Sequence, residues 1–157
     1  MTDEKEIINV FVSHYHKDEE TIKKLKDLLS DKYCIKNYSV TSDKYNDAHN
    51  EEYIKYDYLL PLIKQSSTLI CLIGPETHDS TWVDWEIREA EKVGKQIIGV
   101  YIQGAKDSDV PPALEEYADA IVGWNSNSIE RALNGESIFV NSDGNPRAEV
   151  KSGRVVC

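Results

Sequence analysis

Residues 68–102 read TLICLIGPETHDSTWVDWEIREAEKVGKQIIGVYI, in which two apolar segments flank an amphipathic one. The apolar segments, Thr68–Ile73 and Ile97–Ile102, are short and rich in β-branched residues, as expected of strands that are covered on both faces. Between them, small or apolar residues recur at helical spacing. These residues are Val83, Ile87, Ala90 and Gly94. The order strand, helix, strand predicts a βαβ unit of a parallel sheet.

The same alternation continues on both sides of this unit. Upstream, strands are predicted at Ile7–Val12 and Tyr38–Thr41, and apolar residues at helical spacing follow each of them. Downstream, the predicted elements are a helix at Pro111–Tyr117, a strand at Ala120–Val122 and a helix at Ser128–Leu133. We therefore predict an α/β protein of the flavodoxin-like, three-layer type, with a five-stranded parallel sheet, helices on both faces and its site at the carboxyl ends of the strands.

The last 21 residues lie outside this alternation. Ile138–Val140 and Ala148–Val150 are short apolar segments with Asp143-Gly144 between them, a dipeptide typical of tight hairpin turns. The prediction is one domain over residues 1–136, followed by a tail over residues 137–157 that forms a short β-hairpin.

Composition limits the classes of partner. The 157 residues include 18 Lys and Arg against 28 Asp and Glu, for a formal charge of −10. This charge argues against nucleic-acid binding, which depends on basic residues, and against binding to anionic membranes. The chain has no basic leader, no apolar segment of membrane-spanning length, and three widely spaced cysteines. We therefore expect a cytoplasmic protein with reduced thiols, without a disulfide framework or a structural zinc site.

The first candidate site is the polar segment Ser13–Asp18, where the first predicted strand ends. Its residues His14, His16 and Asp18 are similar to part of the HxHxDH motif of the metallo-β-lactamase family, so a metal-dependent hydrolase is one interpretation. A polar loop that caps the first helix is another. In a third interpretation, Ser13 and His14 line a substrate cleft at the end of the strand. The chain contains no P-loop, no GxGxxG fingerprint and no GxSxG elbow.

The second candidate site lies in the helix after Thr68–Ile73, which Asp79 or Ser80 is predicted to cap. Trp82 and Glu86 are four residues apart and therefore lie on one face of this helix. Val83 and Ala90 flank Glu86, so its carboxylate is expected to turn toward the core. Apolar surroundings would raise the pKa of this carboxyl group, whereas hydrogen bonds from a ribose would keep it ionised. Most helical glutamates are simply solvated, and a packing role is the usual one for tryptophan.

The order of these segments along the chain resembles that of a TIR domain, and more narrowly that of the bacterial Thoeris-type TIR-like family of antiphage defence. FVSHYHKD, at residues 11–18, matches the box on the first strand of that family. Residues 82–87, WVDWEI, match the W-[VC]-x-x-E-[IL] box of catalytic TIR domains. The resemblance covers roughly residues 7–134, so residues 1–136 are interpreted as the TIR-like domain.

The resemblance implies cleavage of NAD⁺ between nicotinamide and ribose, with Glu86 as the catalytic residue and NAD⁺ as a substrate rather than a cofactor. It also implies that Ser13, His14 and Trp82 contact the substrate. Residues 42–50 correspond by position to the BB loop of the family, from which Asp43 and Tyr45 are the expected contacts. The implied product is an ADP-ribose-derived signal that activates a separate effector protein, and TIR–TIR self-association is a further expectation.

Other functions remain open from the sequence. A TIR domain that only assembles with other TIR domains would self-associate without consuming NAD⁺. A metal-dependent hydrolase would use His14, His16 and Asp18. An enzyme similar to nucleoside deoxyribosyltransferases is a further alternative, because these enzymes share the fold type and a carboxylate at a glycosidic bond. Such an enzyme would exchange nucleoside bases. The intact pair of Trp82 and Glu86 favours the NAD⁺-cleaving enzyme.

Overall fold

The structure is a computed structural model that describes residues 6–14, 19–37, 59–75 and 77–147. The strands are β1 (Glu6–Ser13), β2 (Tyr33–Asn37), β3 (Thr68–Ile73), β4 (Gln96–Tyr101) and β5 (Ala120–Val122). The helices are α1 (Glu19–Leu28), α2 (Leu60–Gln65), α3 (Thr81–Lys92), α4 (Pro112–Tyr117) and α5 (Ser126–Leu133). Short 3₁₀ turns at Thr77–Asp79 and Asp107–Asp109 precede α3 and α4.

The five strands form one sheet in the order β2-β1-β3-β4-β5, and every pairing is parallel. This confirms the predicted flavodoxin-like arrangement. The chain moves outward from β1 to β2, and then returns to place β3 on the other side of β1. Between β1 and β3 the direction of winding therefore reverses, and such a reversal opens a crevice at the carboxyl ends of the two strands.

Strand residues alternate between two apolar layers because successive side chains point to opposite faces of the sheet. One layer lies under α2, α3 and α4, and it includes Phe11, Leu69, Cys71 and Ile73. The other lies under α1 and α5, and it includes Val10, Val12, Ile70 and Leu72. The six residues of β3 are all buried, as its uniformly apolar sequence predicted.

Three predicted details of the elements were wrong or remain untested. The strand after α1 lies at Tyr33–Asn37, whereas the predicted segment, residues 38–41, lies outside the described residues. Gly94 is not part of the inner face of α3, because it follows the end of the helix, is exposed and has a φ of 75°. At that φ a glycine commonly terminates a helix. Helix α5 begins at Ser126, two residues before the predicted start, because the side chain of Asn125 caps it by accepting a hydrogen bond from the amide of Ser128.

The predicted C-terminal hairpin is not confirmed. In its described part the tail forms isolated bridges, a parallel one between Ile121 and Phe139 and an antiparallel one between Val140 and Pro146. A turn at Gly144, with a φ of 90°, joins the two arms of the second bridge. The predicted second arm, residues 148–150, lies outside the described residues.

The tail is nevertheless anchored to the sheet. The hydroxyl of Tyr101 donates a hydrogen bond to the carbonyl of Val140 at 3.1 Å and accepts one from the guanidinium of Arg147 at 3.0 Å. Arg147 also forms an ion pair with Glu115 on α4 at 3.2 Å. These contacts hold residues 140–147 beside the carboxyl end of β4.

Candidate active site

The residues of the candidate site converge where β1 and β3 end. Ser13 is the last residue of β1, and in the parallel register it lies opposite Cys71 of β3. Ser13 and Cys71 share the face of the sheet that α3 covers, because each is two residues from a core residue of that face, Phe11 and Ile73 respectively. The position is therefore the crevice that the reversal of winding creates.

The turn between β3 and α3 sets where the helix begins. The side-chain oxygen of Thr77, which is fully buried, accepts a hydrogen bond from the amide of Gly74 at 2.9 Å. Ser80 then caps the helix, because its side chain accepts a hydrogen bond from the amide of Val83 at 3.2 Å. Of the two predicted caps, Asp79 and Ser80, the structure has Ser80, and the position of the cap determines which residues of α3 face the sheet. The buried face of α3 consists of Val83, Glu86, Ile87, Glu89 and Ala90.

The helical phase places Glu86 against the end of β1. Its side chain is 2% exposed, and its Oε1 accepts a hydrogen bond of 2.7 Å from the Oγ of Ser13, which is fully buried. A hydroxyl that donates to a carboxylate makes a short, charge-assisted hydrogen bond, and this bond fixes the orientation of the carboxylate. Most glutamates on helices have solvated side chains. Glu86 differs from them, because its side chain is buried beside the apolar face of α3 and is hydrogen-bonded to Ser13.

The outer side of α3 is fixed to α4 by a second set of polar contacts. Arg88 contacts Asp84 at 2.8 Å and Glu116 at 3.2 Å. The other oxygen of Asp84 accepts a hydrogen bond from the amide of Ala113 at 3.1 Å. Because α3 is held on both sides, the carboxylate of Glu86 has a rigid support, which is what a preorganised site requires.

Cys71 lies close to Glu86 but is a poor nucleophile. Burial raises the pKa of the Cys71 thiol, and the negative charge of Glu86 raises it further. The thiol therefore stays protonated at neutral pH, whereas reactive cysteines depend on the thiolate. Of the two groups, only the carboxylate is suited to act on a substrate.

This environment predicts how the cysteines react. Iodoacetamide at a pH near 8.5, close to the pKa of an ordinary thiol, should alkylate the exposed Cys34 and leave Cys71 unmodified in the folded protein. Peptide mapping by mass spectrometry measures the two sites separately, and addition of urea should make Cys71 reactive. Alkylation of Cys71 at the rate of Cys34 without urea would contradict the burial of the Cys71 side chain.

The other predicted site residues are placed differently. His14 follows Ser13 directly and is 9% exposed, whereas Trp82 is partly buried and packs against the core one helical turn before Glu86. The structure therefore brings Ser13 and Glu86 into contact, with His14 next to Ser13 in the chain. Asp43 and Tyr45 lie outside the described residues, as does the whole predicted loop, residues 42–50.

The hypothesis of a metal site named three ligands at the end of β1. His16 and Asp18 lie outside the described residues, and only His14 of the three is described. Within the described part of the chain, no group of three or more His, Cys, Asp or Glu side chains could hold a metal ion.

Two residues of the site were missed in the sequence, Cys71 and Thr77. The alternation of side chains along β3 could have indicated Cys71, because residues 69, 71 and 73 must share one face of the sheet. The strand register that pairs Cys71 with Ser13 could not be predicted from the sequence, since it depends on pairing between distant segments. Thr77 carried no signal beyond its place in a polar turn.

Comparison with known proteins gives one family. A family model described as Thoeris protein ThsB, TIR-like domain, matches residues 11–107, which is more than half of the chain. The matched range contains Ser13, Cys71 and Glu86. Among the curated proteins no match is found. Within the described residues, no helix is long and apolar enough to cross a membrane.

Proposed function

This chain belongs to the family of TIR-like domains of the Thoeris protein ThsB, and we propose that it cleaves NAD⁺ and makes an ADP-ribose-derived signal in antiphage defence. One observation carries the proposal. The carboxylate of Glu86 is buried in the crevice between β1 and β3 and is held by Ser13 at 2.7 Å. A single oriented carboxylate in such a place is unusual for a purely structural residue, because burying a charge is costly.

The reaction suits one carboxylate. Ordinary glycosidases need a second carboxyl group to protonate the leaving oxygen. In NAD⁺ the nicotinamide ring is already cationic. When the bond between its nitrogen and C1′ of the ribose breaks, the electron pair moves to that nitrogen and the ring departs as neutral nicotinamide. No acid is therefore required on the leaving group.

The role of Glu86 is to stabilise the ribosyl centre that remains. As the bond breaks, positive charge develops on C1′ and on the ring oxygen, and a fixed carboxylate lowers the energy of that charge distribution. The same carboxylate accepts hydrogen bonds from ribose hydroxyls and so orients the sugar. Ser13 acts through Glu86 as a positioning residue. A nucleophile then bonds to C1′ and releases a proton.

The identity of that nucleophile determines the product. Attack by water gives ADP-ribose, attack by a group of the substrate itself gives a cyclic product, and attack by another nucleophile such as an amino acid gives a conjugate of ADP-ribose. Exclusion of water from the crevice favours the cyclic or conjugated product over ADP-ribose. The product would act as the signal for a separate effector protein.

Mass spectrometry of the small molecules tests the proposal. Purified protein at high concentration is incubated with NAD⁺, and nicotinamide and ADP-ribose derivatives are measured against a protein-free blank. Release of nicotinamide above the blank is expected. Self-association without any release would favour a TIR domain that acts only in assembly, and nucleoside base exchange without loss of NAD⁺ would favour the deoxyribosyltransferase-like reaction.

Replacing Ser13 with Ala should lower kcat for NAD⁺ cleavage roughly tenfold to a hundredfold and change KM less, because a misplaced carboxylate loses stabilisation of the transition state. The matched control is Ser66→Ala, since Ser66 is 2% exposed and its hydroxyl bonds only to the Leu62 carbonyl of its own helix among the described contacts. Steady-state kinetics on both variants provide the measurement. Equal kcat values for the two variants would show that Ser13 does not position Glu86.

A further inference from the structure

A cavity of about 640 Å³ lies at the carboxyl ends of β4 and β5, beside the first turns of α1. Small-molecule sites typically have volumes of about 300–1,000 Å³. The cavity is lined from α1 by Thr21 and Lys24, from the segment after β4 by Gln103 and Gly104, and from the segment after β5 by Trp124. Parallel α/β sheets bind ligands at this same edge.

This cavity is separate from the pair of Ser13 and Glu86. Trp124 and Ile102, which line the cavity, pack with the apolar layer under α1 and α5, whereas Tyr101, which also lines it, belongs to the layer under α2, α3 and α4. Neither Ser13 nor Glu86 lines the cavity. A ligand in it would therefore not need to contact the proposed catalytic carboxylate.

Several residues that line the cavity carry hydrogen-bond donors. Lys24 offers an ammonium group, Trp124 an indole N–H, Thr21 a hydroxyl and Gln103 an amide N–H. Within the described part of the chain, none of these four side chains forms a hydrogen bond or an ion pair. Lys24 and Gln103 are exposed and Thr21 and Trp124 are half-buried, so these four donors are available to a ligand rich in acceptor atoms.

The charge of the cavity differs from that of the chain as a whole. The protein carries 28 acidic residues and a formal charge of −10. The described residues that line the cavity nevertheless include one lysine and no carboxylate. The nearby carboxylate of Asp107 instead accepts a hydrogen bond from the amide of Ser142 at 2.6 Å, which ties the C-terminal segment to the rim. An anionic ligand is therefore favoured here and disfavoured over most of the remaining surface.

We propose that this cavity is a second ligand site, which binds a nucleoside phosphate. Lys24 contacts the phosphate groups, and the base packs against the indole of Trp124, as aromatic side chains do with nucleic-acid bases. Gly104, with a φ of 87°, carries no side chain at the rim and leaves its backbone open to a phosphate. The site requires neither Glu86 nor NAD⁺ cleavage, so it stands or falls independently of the proposed function.

Isothermal titration calorimetry with ADP as the probe tests the site. ADP should bind the wild-type protein, and Lys24→Glu should raise Kd at least about tenfold, the effect expected from loss of a charge-assisted contact. The matched control is Lys23→Glu, because Lys23 lies on the same helix, does not line the cavity and changes the net charge equally. Absence of ADP binding at millimolar concentration, or an equal effect of the two variants, would overturn the proposal.

A second variant tests the contact with the base. Trp124→Leu keeps an apolar side chain against the layer under α1 and α5 but removes the aromatic ring. It should raise Kd for ADP about tenfold, consistent with loss of stacking on one base, and leave Kd for pyrophosphate unchanged. An equal loss for both probes would overturn the assignment of Trp124 to the base, and thermal unfolding measured in parallel identifies a variant that has lost its fold.

Discussion

Replacing Glu86 with Gln should lower kcat for NAD⁺ cleavage at least about a hundredfold, the size of effect seen when one preorganised electrostatic group is removed from an active site. The substitution keeps the shape of the side chain and an oxygen that can accept the hydrogen bond of Ser13. It removes the negative charge, which is the feature that stabilises the ribosyl centre. The loss should therefore appear in kcat more than in KM.

The control for this variant lies one turn further along the same helix. Glu89 is 8% exposed, similar to Glu86, but its carboxylate pairs with Lys92 at 2.8 Å and does not contact Ser13. Glu89→Gln should leave kcat within about twofold of the wild type, as expected of a residue that makes no contact with the transition state. Nicotinamide release by mass spectrometry compares the two variants. Full turnover by Glu86→Gln would refute the assignment of the catalytic residue.

Replacing Phe11 with Ala should lower the free energy of unfolding by about 3–5 kcal/mol, the usual cost of truncating a buried aromatic side chain. Phe11 is fully buried in the layer under α2, α3 and α4, two residues before Ser13 on the same strand. The cavity left by the ring would remove packing beneath the site as well as apolar burial. Since a domain is stable by only about 5–15 kcal/mol, this one change removes a large share of the total.

Ile7→Ala is the control for the core substitution. Ile7 lies on the same strand but is 66% exposed, so its truncation should change the free energy of unfolding by no more than about 0.5 kcal/mol. Urea unfolding followed by far-UV circular dichroism measures both variants. A similar cost for the two would mean that Phe11 does not occupy the core of the folded protein.

The two proposed sites use the same edge of the sheet in different ways. At the crevice between β1 and β3, an acidic side chain is buried and oriented, which suits the stabilisation of positive charge. At the ends of β4 and β5, the described residues that line the open cavity include donors and a lysine but no carboxylate, which suits an anion. The C-terminal segment anchored by Tyr101 and Arg147 borders the second site, where Ser142 lines the cavity.

Much of the architecture could be predicted from local pattern. The apolar segments at 68–73 and 97–102 predicted two buried strands, and helical spacing predicted the buried stripe of Val83, Ile87 and Ala90. Glu86 was identified by its place in that stripe and by resemblance to a family box. The strand at Tyr33–Asn37 was missed in the sequence because its signal is weak. It is a five-residue edge strand in which buried Tyr33 and Ile35 alternate with exposed Cys34.

The sequence by itself determined the class of fold, the central elements and the candidate carboxylate, because periodicity and apolar runs reflect burial within one segment. Only the tertiary structure decided that Ser13 meets Glu86 across 73 residues of chain, and that Cys71 lies opposite Ser13 in the sheet. It alone decided that donors from α1 and from the segments after β4 and β5 share a cavity. The physical reason is that strand register and helix packing arise from contacts between distant segments, which no local pattern specifies.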